Sequence, residues 1–228
     1  MELNDELTIK RLNVNDLNPN EELINYKIIL VGDSGVGKTC IIMRAVNNKF
    51  TDAYQATVGF EFFLMYFQVN NVKIKLQMWD TCGQEIYRSL IQGFYRNTTA
   101  TILVYSKTNR SSFDNLGMWI KDIKNNTEQD MPIFLIGNKC DEENRNIVVT
   151  KEEGEEYSKQ YNLKYFNETS AKNGYNINEI FEEVAKVVYK EYYLKRKSRQ
   201  QQQIGKMTLE KKEDKDNNDL KKSKKKCC

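Results

Sequence analysis

Residues 32–39 combine glycines with a lysine and a threonine in the spacing G-x-x-x-x-G-K-[ST]. The apolar run 26–31 before them predicts a buried strand, and residues 40–46 after them predict the start of a helix. Glycines let successive backbone N–H groups converge on an anion, and a helix N-terminus adds partial positive charge. Lys38 can then reach terminal phosphates, and the Thr39 hydroxyl can ligate Mg²⁺. The segment predicts a nucleoside triphosphate site formed by Asp33, Ser34, Gly35, Val36, Gly37, Lys38, Thr39 and Cys40.

A second polar segment, N-K-C-D at 138–141, follows the apolar run 131–137 and indicates which base of the nucleotide is bound. The carboxylate of Asp141 can accept hydrogen bonds from the N1–H and the exocyclic amine of guanine. Adenine offers neither donor and would leave the charge unpaired. The loop S-A-K at 170–172 follows a short predicted strand and would back the base with main-chain N–H groups. The residues predicted to bind guanine are Asn138, Lys139, Asp141, Ser170, Ala171 and Lys172.

A third segment, W-D-T-C-G-Q-E at 79–85, follows the alternating strand predicted at 72–78. Asp80 stands at the carboxyl end of that strand, where a carboxylate linked to Mg²⁺ is needed. The backbone N–H of Gly83 can approach the γ-phosphate, and Gln84 has the reach to orient an attacking water. The three segments together predict a Mg²⁺-dependent GTPase in which Gln84 and Lys38 are catalytic and GTP or GDP is bound.

These motifs, in this order and spacing, resemble the Ras superfamily of small GTPases over residues 24–193. Further strings resemble the Rab family: T-V-G-F-E-F at 57–62, K-L-Q-M-W-D at 75–80, F-Y-R at 94–96, and the terminal pair Cys227-Cys228. Ras and Rho relatives typically end in C-a-a-X instead. The resemblance implies an α/β fold with a single P-loop GTPase domain. Its mainly parallel six-stranded sheet would have one antiparallel edge strand and helices on both faces.

The resemblance also implies individual roles. Thr57 would be the switch I ligand of Mg²⁺ and of the γ-phosphate. Phe50 would stack edge-on over the guanine, and Lys139 would lie along its other face. The implied metal ligands are Thr39, Thr57 and Asp80. Three aromatic side chains match the exposed triad that Rab proteins present to effectors, with ordinary core packing as the alternative: Phe62, Trp79 and Phe94.

Three strings depart from the family pattern, and no Rab subfamily is assigned. Cys82 replaces the usual Ala of D-T-A-G-Q and places a thiol in switch II. V-Y-S-K-T at 104–108 lacks the Asp of L-V-Y-D-I-T, and I-Y-R-S-L at 86–90 differs from R-F-R-S-I. The last two changes leave the predicted phosphate chemistry intact.

Alternating strands and helices are predicted around these loops. Strands are predicted at 26–31, 60–69, 72–78, 101–105, 132–137 and 164–167, with Asn70-Asn71 as a hairpin turn. Helices are predicted from the P-loop to about residue 48, at 111–125 with Ser111 as cap, after a Thr150–Glu153 capping box, and at 177–193. Residues 1–22 are expected to be a flexible extension, with a short amphipathic helix as the alternative. Residues 23–193 are expected to be the GTPase domain, and 194–228 a disordered tail.

The net charge of +3 conceals a basic tail. Residues 194–228 hold thirteen Lys and Arg against five Asp and Glu. Residues 195–226 are almost without apolar side chains, which predicts disorder. Cys227 and Cys228 match the substrate of double geranylgeranylation in Rab relatives, and two lipid chains anchor firmly where one binds only marginally. The chain has no histidine, which excludes histidine acid–base catalysis and histidine metal ligands.

These features predict a Rab-type switch that regulates vesicle trafficking by recruiting effectors to membranes in its GTP state. The expected partners are an exchange factor, a GTPase-activating protein, effectors, a prenylation escort and a GDP-dissociation inhibitor. A monomer without nucleic-acid binding is expected, on the cytoplasmic face of an endomembrane and cycling with the cytosol. Three alternatives stay open: a P-loop ATPase or nucleotide kinase, a soluble GTPase whose basic tail binds RNA, and a catalytically silent scaffold.

Overall fold

A computed structural model describes residues 7–18, 20–52, 59–81, 93–127 and 130–198. The chain divides into two compact units, Met1–Val188 and Tyr189–Cys228. The first unit holds a sheet and its helices, and the described part of the second begins with the π-helical segment Tyr189–Leu194. No helix within these ranges is both long enough and apolar enough to cross a membrane.

The first unit is built on a seven-stranded sheet. In chain order the strands are β1 (Ile9–Leu12), β2 (Ile24–Val31), β3 (Phe60–Val69), β4 (Val72–Thr81), β5 (Ala100–Ser106), β6 (Ile133–Asn138) and β7 (Tyr165–Thr169). Their spatial order is β1-β3-β4-β2-β5-β6-β7. Strand β3 pairs antiparallel with β1 and β4, and the other pairs are parallel. The predicted α/β class and mainly parallel sheet are confirmed, with one strand more than expected.

The additional strand β1 lies in the segment 1–22, for which the sequence predicts a flexible extension. Its register sets Leu12 opposite Tyr66 of β3. Leu12 is buried, and Nη1 of Arg11 donates a hydrogen bond to Oδ1 of Asn178 at 3.3 Å. The expectation is therefore corrected over Ile9–Leu12, because pairing with β3 orders a segment too short to give a periodic signal of its own. The antiparallel strand β3, predicted at the edge, is second from it.

Five α-helices lie in the described ranges: α1 (Lys38–Asn47), α2 (Arg110–Asp114), α3 (Leu116–Asn126), α4 (Lys151–Gln160) and α5 (Ile177–Val188). The single helix predicted at 111–125 is two helices, α2 and α3, which meet at Asn115. The predicted cap Ser111 is also wrong. Asn109 caps α2 instead, since its Oδ1 accepts a hydrogen bond from the backbone N–H of Ser112 at 3.3 Å.

The capping box predicted for α4 is confirmed. Thr150 Oγ1 accepts a hydrogen bond from the Glu153 backbone N–H at 3.2 Å, and Glu153 Oε2 accepts one from the Thr150 N–H at 2.8 Å. The helix predicted at 177–193 is α-helical only as far as Val188.

The central strands are buried on both faces because helices cover the sheet on each side. Strand β5 is buried at every residue. On one face Ile29, Leu103 and Leu135 pack with Trp119 and Ile123 of α3. Helices α1 and α5 contact each other and strand β3. This layered packing fixes the carboxyl ends of the parallel strands, where the predicted loops begin.

Candidate functional site

Five parallel strands end at one edge of the sheet, and four of them lead into predicted functional segments. Strand β2 leads into the glycine-rich loop, and β4 carries Asp80 near its end. Strand β6 ends at Asn138, and β7 ends immediately before the loop 170–172. Ligands of open parallel sheets bind outside the carboxyl ends of the strands. The fold therefore gathers the phosphate, metal and base segments at one edge.

Two glycines of the glycine-rich loop combine a positive φ with a close neighbour where a side chain would be. Gly32 has φ 139° and Gly37 has φ 98°. A Cβ at Gly32 would lie 2.1 Å from the carbonyl oxygen of Val104, and one at Gly37 would lie 2.4 Å from Nδ2 of Asn138. The loop is thus packed directly against β5 and β6, with no room for a side chain at either glycine.

Lys38 is the first residue of α1 and is only 5% exposed. Its Nζ donates hydrogen bonds to the carbonyl oxygens of Gly32 at 2.8 Å and Asp33 at 2.9 Å. The ammonium is thereby held over the loop in front of the α1 N-terminus, where positive charge and the helix dipole reinforce each other.

Thr39 and Asp80 form a direct pair. Oγ1 of Thr39 donates a hydrogen bond to Oδ2 of Asp80 at 2.5 Å, and Asp80 is fully buried. A hydroxyl and a carboxylate are oxygen donors of the kind that Mg²⁺ prefers, and Mg²⁺ usually takes only one or two protein ligands beside water and substrate phosphates. Within the described ranges, no three or more His, Cys, Asp or Glu side chains form a metal-binding group. The pair fits Mg²⁺ rather than an all-protein metal cage.

Asn138 joins the phosphate loop to the base segments. Its Nδ2 donates to the carbonyl oxygen of Val36 at 2.9 Å. Its Oδ1 accepts from Oγ1 of Thr169 at 3.3 Å and from the backbone N–H of Ala171 at 3.2 Å. Asn138 is 1% exposed, so each of these bonds satisfies a polar group that water does not reach.

The other predicted base-binding residues lie around Asn138. Lys139 has a left-handed backbone, with φ 67°, and Asp141 is half-buried. Ser170 and Ala171 are buried, whereas Lys172 is exposed. A positive φ at a non-glycine residue is a strained conformation that persists where surrounding contacts impose it.

The side chain of Asp33 is directed away from the loop that contains it. Its Oδ1 accepts a hydrogen bond from Nε1 of Trp119 at 2.7 Å, and its Oδ2 accepts one from Nδ2 of Asn115 at 2.8 Å. Asp33 is predicted to bind nucleotide, and this arrangement leaves its main chain for that contact. Neither partner was identified by sequence analysis, since Asn115 and Trp119 lie 82 and 86 residues further along the chain.

Arg44, in the last turn of α1, is a residue that the sequence did not single out. Its Nε donates to the carbonyl oxygen of Ala171 at 2.8 Å, and its Nη2 donates to that of Lys172 at 2.5 Å. Its guanidinium carbon lies 5.9 Å from the centre of the Phe50 ring. Arg44 thus contacts two segments that are predicted to bind guanine.

The predicted aromatic triad is assembled, with a fourth ring. The ring centre of Trp79 lies 5.2 Å from that of Phe62 and 5.5 Å from that of Phe94. The ring centre of Phe60 lies 4.6 Å from that of Phe94 and 5.3 Å from that of Trp79. Phe60 and Phe62 are 48% and 45% exposed. Alternation along β3 could have identified Phe60, since residues two apart share a face.

Lys27 lies beneath the aromatic group. Its Nζ is 5.1 Å from the centre of the Trp79 ring and donates hydrogen bonds to the carbonyl oxygens of Phe94 at 2.5 Å and Arg96 at 3.0 Å. Burial lowers the pKa of this ammonium. These bonds connect β2 to the segment that carries Phe94.

The departure from the family pattern at 104–108 includes an ion pair. Lys107, only 7% exposed, pairs through Nζ with Oε1 of Glu168 on β7. The backbone N–H of Lys107 also donates to the carbonyl oxygen of Asn138 at 2.9 Å. Lys107 therefore connects the segment 104–108 to Glu168 of β7 and to Asn138, which is one of the predicted base-binding residues.

Several predicted residues lie outside the described residues: Thr57, Cys82, Gly83, Gln84, Cys227 and Cys228. Their predicted roles stay predictions.

The family model described as the Ras family matches residues 27–190. The chain belongs to the Ras family. It is 43% identical over 164 residues to the Ras-related protein Rab-26 of Homo sapiens, covering 72% of this chain and 63% of that protein. The Ras-related protein SEC4 of Candida albicans is 39% identical over 166 residues, which cover 73% of this chain and 78% of SEC4. SEC4 of Saccharomyces cerevisiae is 41% identical over 162 residues, covering 71% of this chain and 74% of that protein.

These relatives confirm the resemblance to Rab-type small GTPases. The aligned part spans less than two thirds of the length of Rab-26. Strand β1 lies before the residues that the Ras family model matches, and residues 191–228 lie after them.

Proposed function

We propose that this Ras-family protein is a GTP-binding and GTP-hydrolysing switch that regulates vesicle trafficking by recruiting effectors to membranes in its GTP state. The observation that carries the proposal is the set of bonds around Asn138, which connects the phosphate loop at Val36 to the base loop at Ala171. A nucleotide that spans both loops would have its phosphates at one and its base at the other, and Asn138 connects the two loops by hydrogen bonds.

Guanine selection is assigned to Asp141 and to the loop 170–172. The carboxylate would accept hydrogen bonds from N1–H and the exocyclic amine, and a main-chain N–H of the loop would donate to the O6 atom. An adenine nucleotide would leave the carboxylate without donors, at a cost of about 1–3 kcal/mol or more.

Phosphate binding is assigned to the N–H groups of the glycine-rich loop and to Lys38. Thr39 and Asp80, with Thr57, would hold Mg²⁺, which would supply positive charge to neutralise the charge of the phosphates. Burial of Lys38 favours phosphate binding and burial of Asp80 favours metal binding, because charges in a water-poor site act more strongly on an oppositely charged partner than exposed charges do.

Hydrolysis is assigned to a water oriented by Gln84, with Gly83 and Thr57 contacting the γ-phosphate. We expect a slow intrinsic rate, which a GTPase-activating protein would raise by about 10³–10⁵-fold. Loss of the γ-phosphate would release both segments and end effector binding. An exchange factor would then be needed to replace GDP.

Effector binding is assigned to Phe62, Trp79 and Phe94, because their rings contact one another and Phe62 is largely exposed. Membrane attachment is assigned to geranylgeranyl groups on Cys227 and Cys228, with nearby lysines adding about 1 kcal/mol each at an anionic surface. A prenylation escort and a GDP-dissociation inhibitor would shield the lipids. The location would be the cytoplasmic face of an endomembrane.

The base assignment is tested with Asp141→Asn and with the control Glu143→Gln, which removes an exposed carboxylate two residues away. Titrations with GDP, ADP and xanthosine diphosphate would measure the dissociation constants. Asp141→Asn should weaken GDP by about 10²-fold or more. The same substitution should also strengthen the binding of xanthosine diphosphate, because the C2 carbonyl of xanthine can accept a hydrogen bond from the side-chain amide of the introduced asparagine. Wild type that binds ADP as tightly as GDP would contradict the proposal.

The membrane assignment is tested in eukaryotic cells by intact mass and membrane partition of wild type beside the Cys227→Ser/Cys228→Ser variant. Two added prenyl masses and a variant released to the cytosol are expected. An unmodified, cytosolic wild type would remove the lipid anchor from the proposal while leaving the nucleotide site intact.

A further inference from the structure

Arg44 connects the end of α1 to the loop 170–172 by side-chain hydrogen bonds to main-chain atoms. We propose that Arg44 is a positioning residue for guanine, which holds this loop so that the main-chain N–H of Lys172 is directed at the base. The inference rests on the proposed function, since it assigns to Arg44 a part of base recognition.

The guanidinium binds two consecutive carbonyl groups at once. Nε donates to the Ala171 oxygen at 2.8 Å and Nη2 donates to the Lys172 oxygen at 2.5 Å. Adjacent N–H groups of a planar guanidinium form a rigid fork, whereas a lysine ammonium has no such preferred geometry. The loop is therefore fixed in orientation as well as in distance.

Fixing these carbonyl groups also fixes the N–H groups of the loop. No cis peptide bond occurs in the described ranges, and in a planar trans peptide the C=O and the following N–H point in opposite directions. The Ala171 carbonyl faces Arg44, so the Lys172 N–H is directed away from α1. The preceding N–H, that of Ala171, donates to Oδ1 of Asn138 at 3.2 Å. Arg44 and Asn138 thus hold adjacent peptide units of the same loop.

Arg44 is itself anchored to the end of its helix. Its Nη1 donates to the carbonyl oxygen and to Oδ1 of Asn48, both at 3.2 Å. Asn48 is the C-cap of α1 and has a left-handed backbone, with φ 51°. The guanidinium also lies 5.9 Å from the ring centre of Phe50, which is predicted to stack on the base. One side chain therefore links the helix that begins at the phosphate loop with two of the segments that are predicted to bind guanine.

A purely structural role for Arg44 is the rival explanation, because a cation at a helix C-terminus stabilises the helix by itself. The two roles differ in what they predict for the base. A structural role affects every nucleotide equally, whereas a positioning role depends on the group that the loop N–H contacts. In the proposed pocket, the N1–H and the exocyclic amine of guanine donate to Asp141. The O6 atom of guanine is then the acceptor available to the N–H of the loop.

The test compares wild type with Arg44→Lys, which keeps the charge at the helix end and removes the fork. The ligands are GDP, 6-thio-GDP, whose sulfur is a weak acceptor in place of O6, and inosine diphosphate, which keeps O6 and lacks the amine. We expect Arg44→Lys to weaken GDP and inosine diphosphate by about tenfold, and 6-thio-GDP by about twofold or less. Arg11→Lys is the matched control, since Arg11 hydrogen-bonds Asn178 on a different part of the domain.

Each outcome decides between the explanations. An equal loss for all three nucleotides, or no loss for any of them, would overturn the positioning role. Thermal unfolding of both variants without nucleotide gives the structural contribution separately. Wild type that fails to bind GDP would contradict the proposed function itself, and wild type that binds GDP while Arg44→Lys is unchanged would contradict only this inference.

Discussion

The carboxylate of Asp33 accepts a hydrogen bond from the indole Nε1 of Trp119 at 2.7 Å, although Asp33 belongs to the glycine-rich loop and Trp119 to α3. A second bond, from Nδ2 of Asn115 at 2.8 Å, satisfies the other carboxylate oxygen. A negative charge within a phosphate-binding loop would repel its ligand if it faced the phosphates. Because the carboxylate is instead hydrogen-bonded to Trp119 of α3 and to Asn115 at the α2–α3 junction, it attaches the glycine-rich loop to these helices.

Removing the indole donor should weaken this attachment. We expect Trp119→Phe to lower the free energy of unfolding by about 1.5–3 kcal/mol more than Trp79→Phe does, because a hydrogen bond to a charged group is lost. Trp79 is the control because its Nε1 is buried and, within the described ranges, has no hydrogen-bond partner. Urea denaturation measures both differences.

A double-mutant cycle separates the hydrogen bond from the loss of ring volume. In an Asp33→Ala background, Trp119→Phe should cost less than it does in wild type, since its acceptor is gone. An equal cost in both backgrounds would show that packing alone explains the effect.

Gly37→Ala should disable the phosphate loop. A left-handed backbone costs a residue with a Cβ about 1–2 kcal/mol, and the new Cβ would displace Asn138 from its bond to Val36. We expect GDP affinity to fall by about 30–100-fold in a titration. Gly117→Ala in α3 is the control, because its nearest neighbour would be the Tyr157 hydroxyl oxygen at 3.7 Å. That variant should bind GDP normally and be up to about 1 kcal/mol more stable; normal binding by Gly37→Ala would refute the prediction.

The cap of α2 can be tested by a pair of alanine substitutions. Asn109→Ala should destabilise the fold by about 1 kcal/mol, because the Ser112 N–H loses its acceptor. Ser111→Ala should change stability by less than about 0.5 kcal/mol, since Ser111 is exposed and does not cap the helix. Chemical denaturation distinguishes them, and a larger effect at Ser111 would restore the cap that the sequence predicts.

The capping box of α4 should contribute to acid sensitivity. The pKa of the Glu153 carboxyl is lowered from its ordinary value of 4.5, first by the hydrogen bond from the Thr150 N–H and then by the one from Arg110. Because the folded pKa is below the unfolded one, ionised Glu153 contributes stability that is present above pH 4.5 and is lost as the pH falls through the folded value.

Glu153→Gln should therefore destabilise the protein more at about pH 7 than at about pH 3. Denaturation midpoints across that range measure the difference. Glu156→Gln, in the same helix and exposed, controls for the change in net charge. A pH-independent difference between wild type and Glu153→Gln would argue against the contribution.

Local sequence signals were sufficient where the structure depends on neighbouring residues. The bounds of β3, Phe60–Val69, agree with its predicted range, and the hairpin turn is formed at Asn70, which has φ 51°. Five of the six described non-glycine residues with positive φ are asparagines: Asn48, Asn70, Asn97, Asn162 and Asn176. Asparagine tolerates this backbone better than most residues, so the turns of this asparagine-rich chain were partly readable.

Features that depend on distant partners were not predictable. Strand β1 has only four residues and is ordered by its pairing with β3. The break between α2 and α3 at Asn115 gives no local sequence signal. The side chain of Asn115 is hydrogen-bonded to Asp33, which lies 82 residues earlier in the chain. Arg44 looks like an ordinary helix-terminal cation, because its partners Ala171 and Lys172 lie 127 and 128 residues away. Such contacts follow from tertiary packing, which local periodicity does not encode.

The pairing of Ile9–Leu12 with β3 has a consequence beyond the order it gives the N-terminal segment. An unpaired sheet edge is a template on which strands of other molecules can assemble, and chains guard against this by covering the edge. Here the outer hydrogen-bonding groups of residues 66–69 are occupied by the chain itself. We therefore expect this short strand, which lies outside the part matched by the Ras family model, to reduce edge-to-edge association over these four residues of β3.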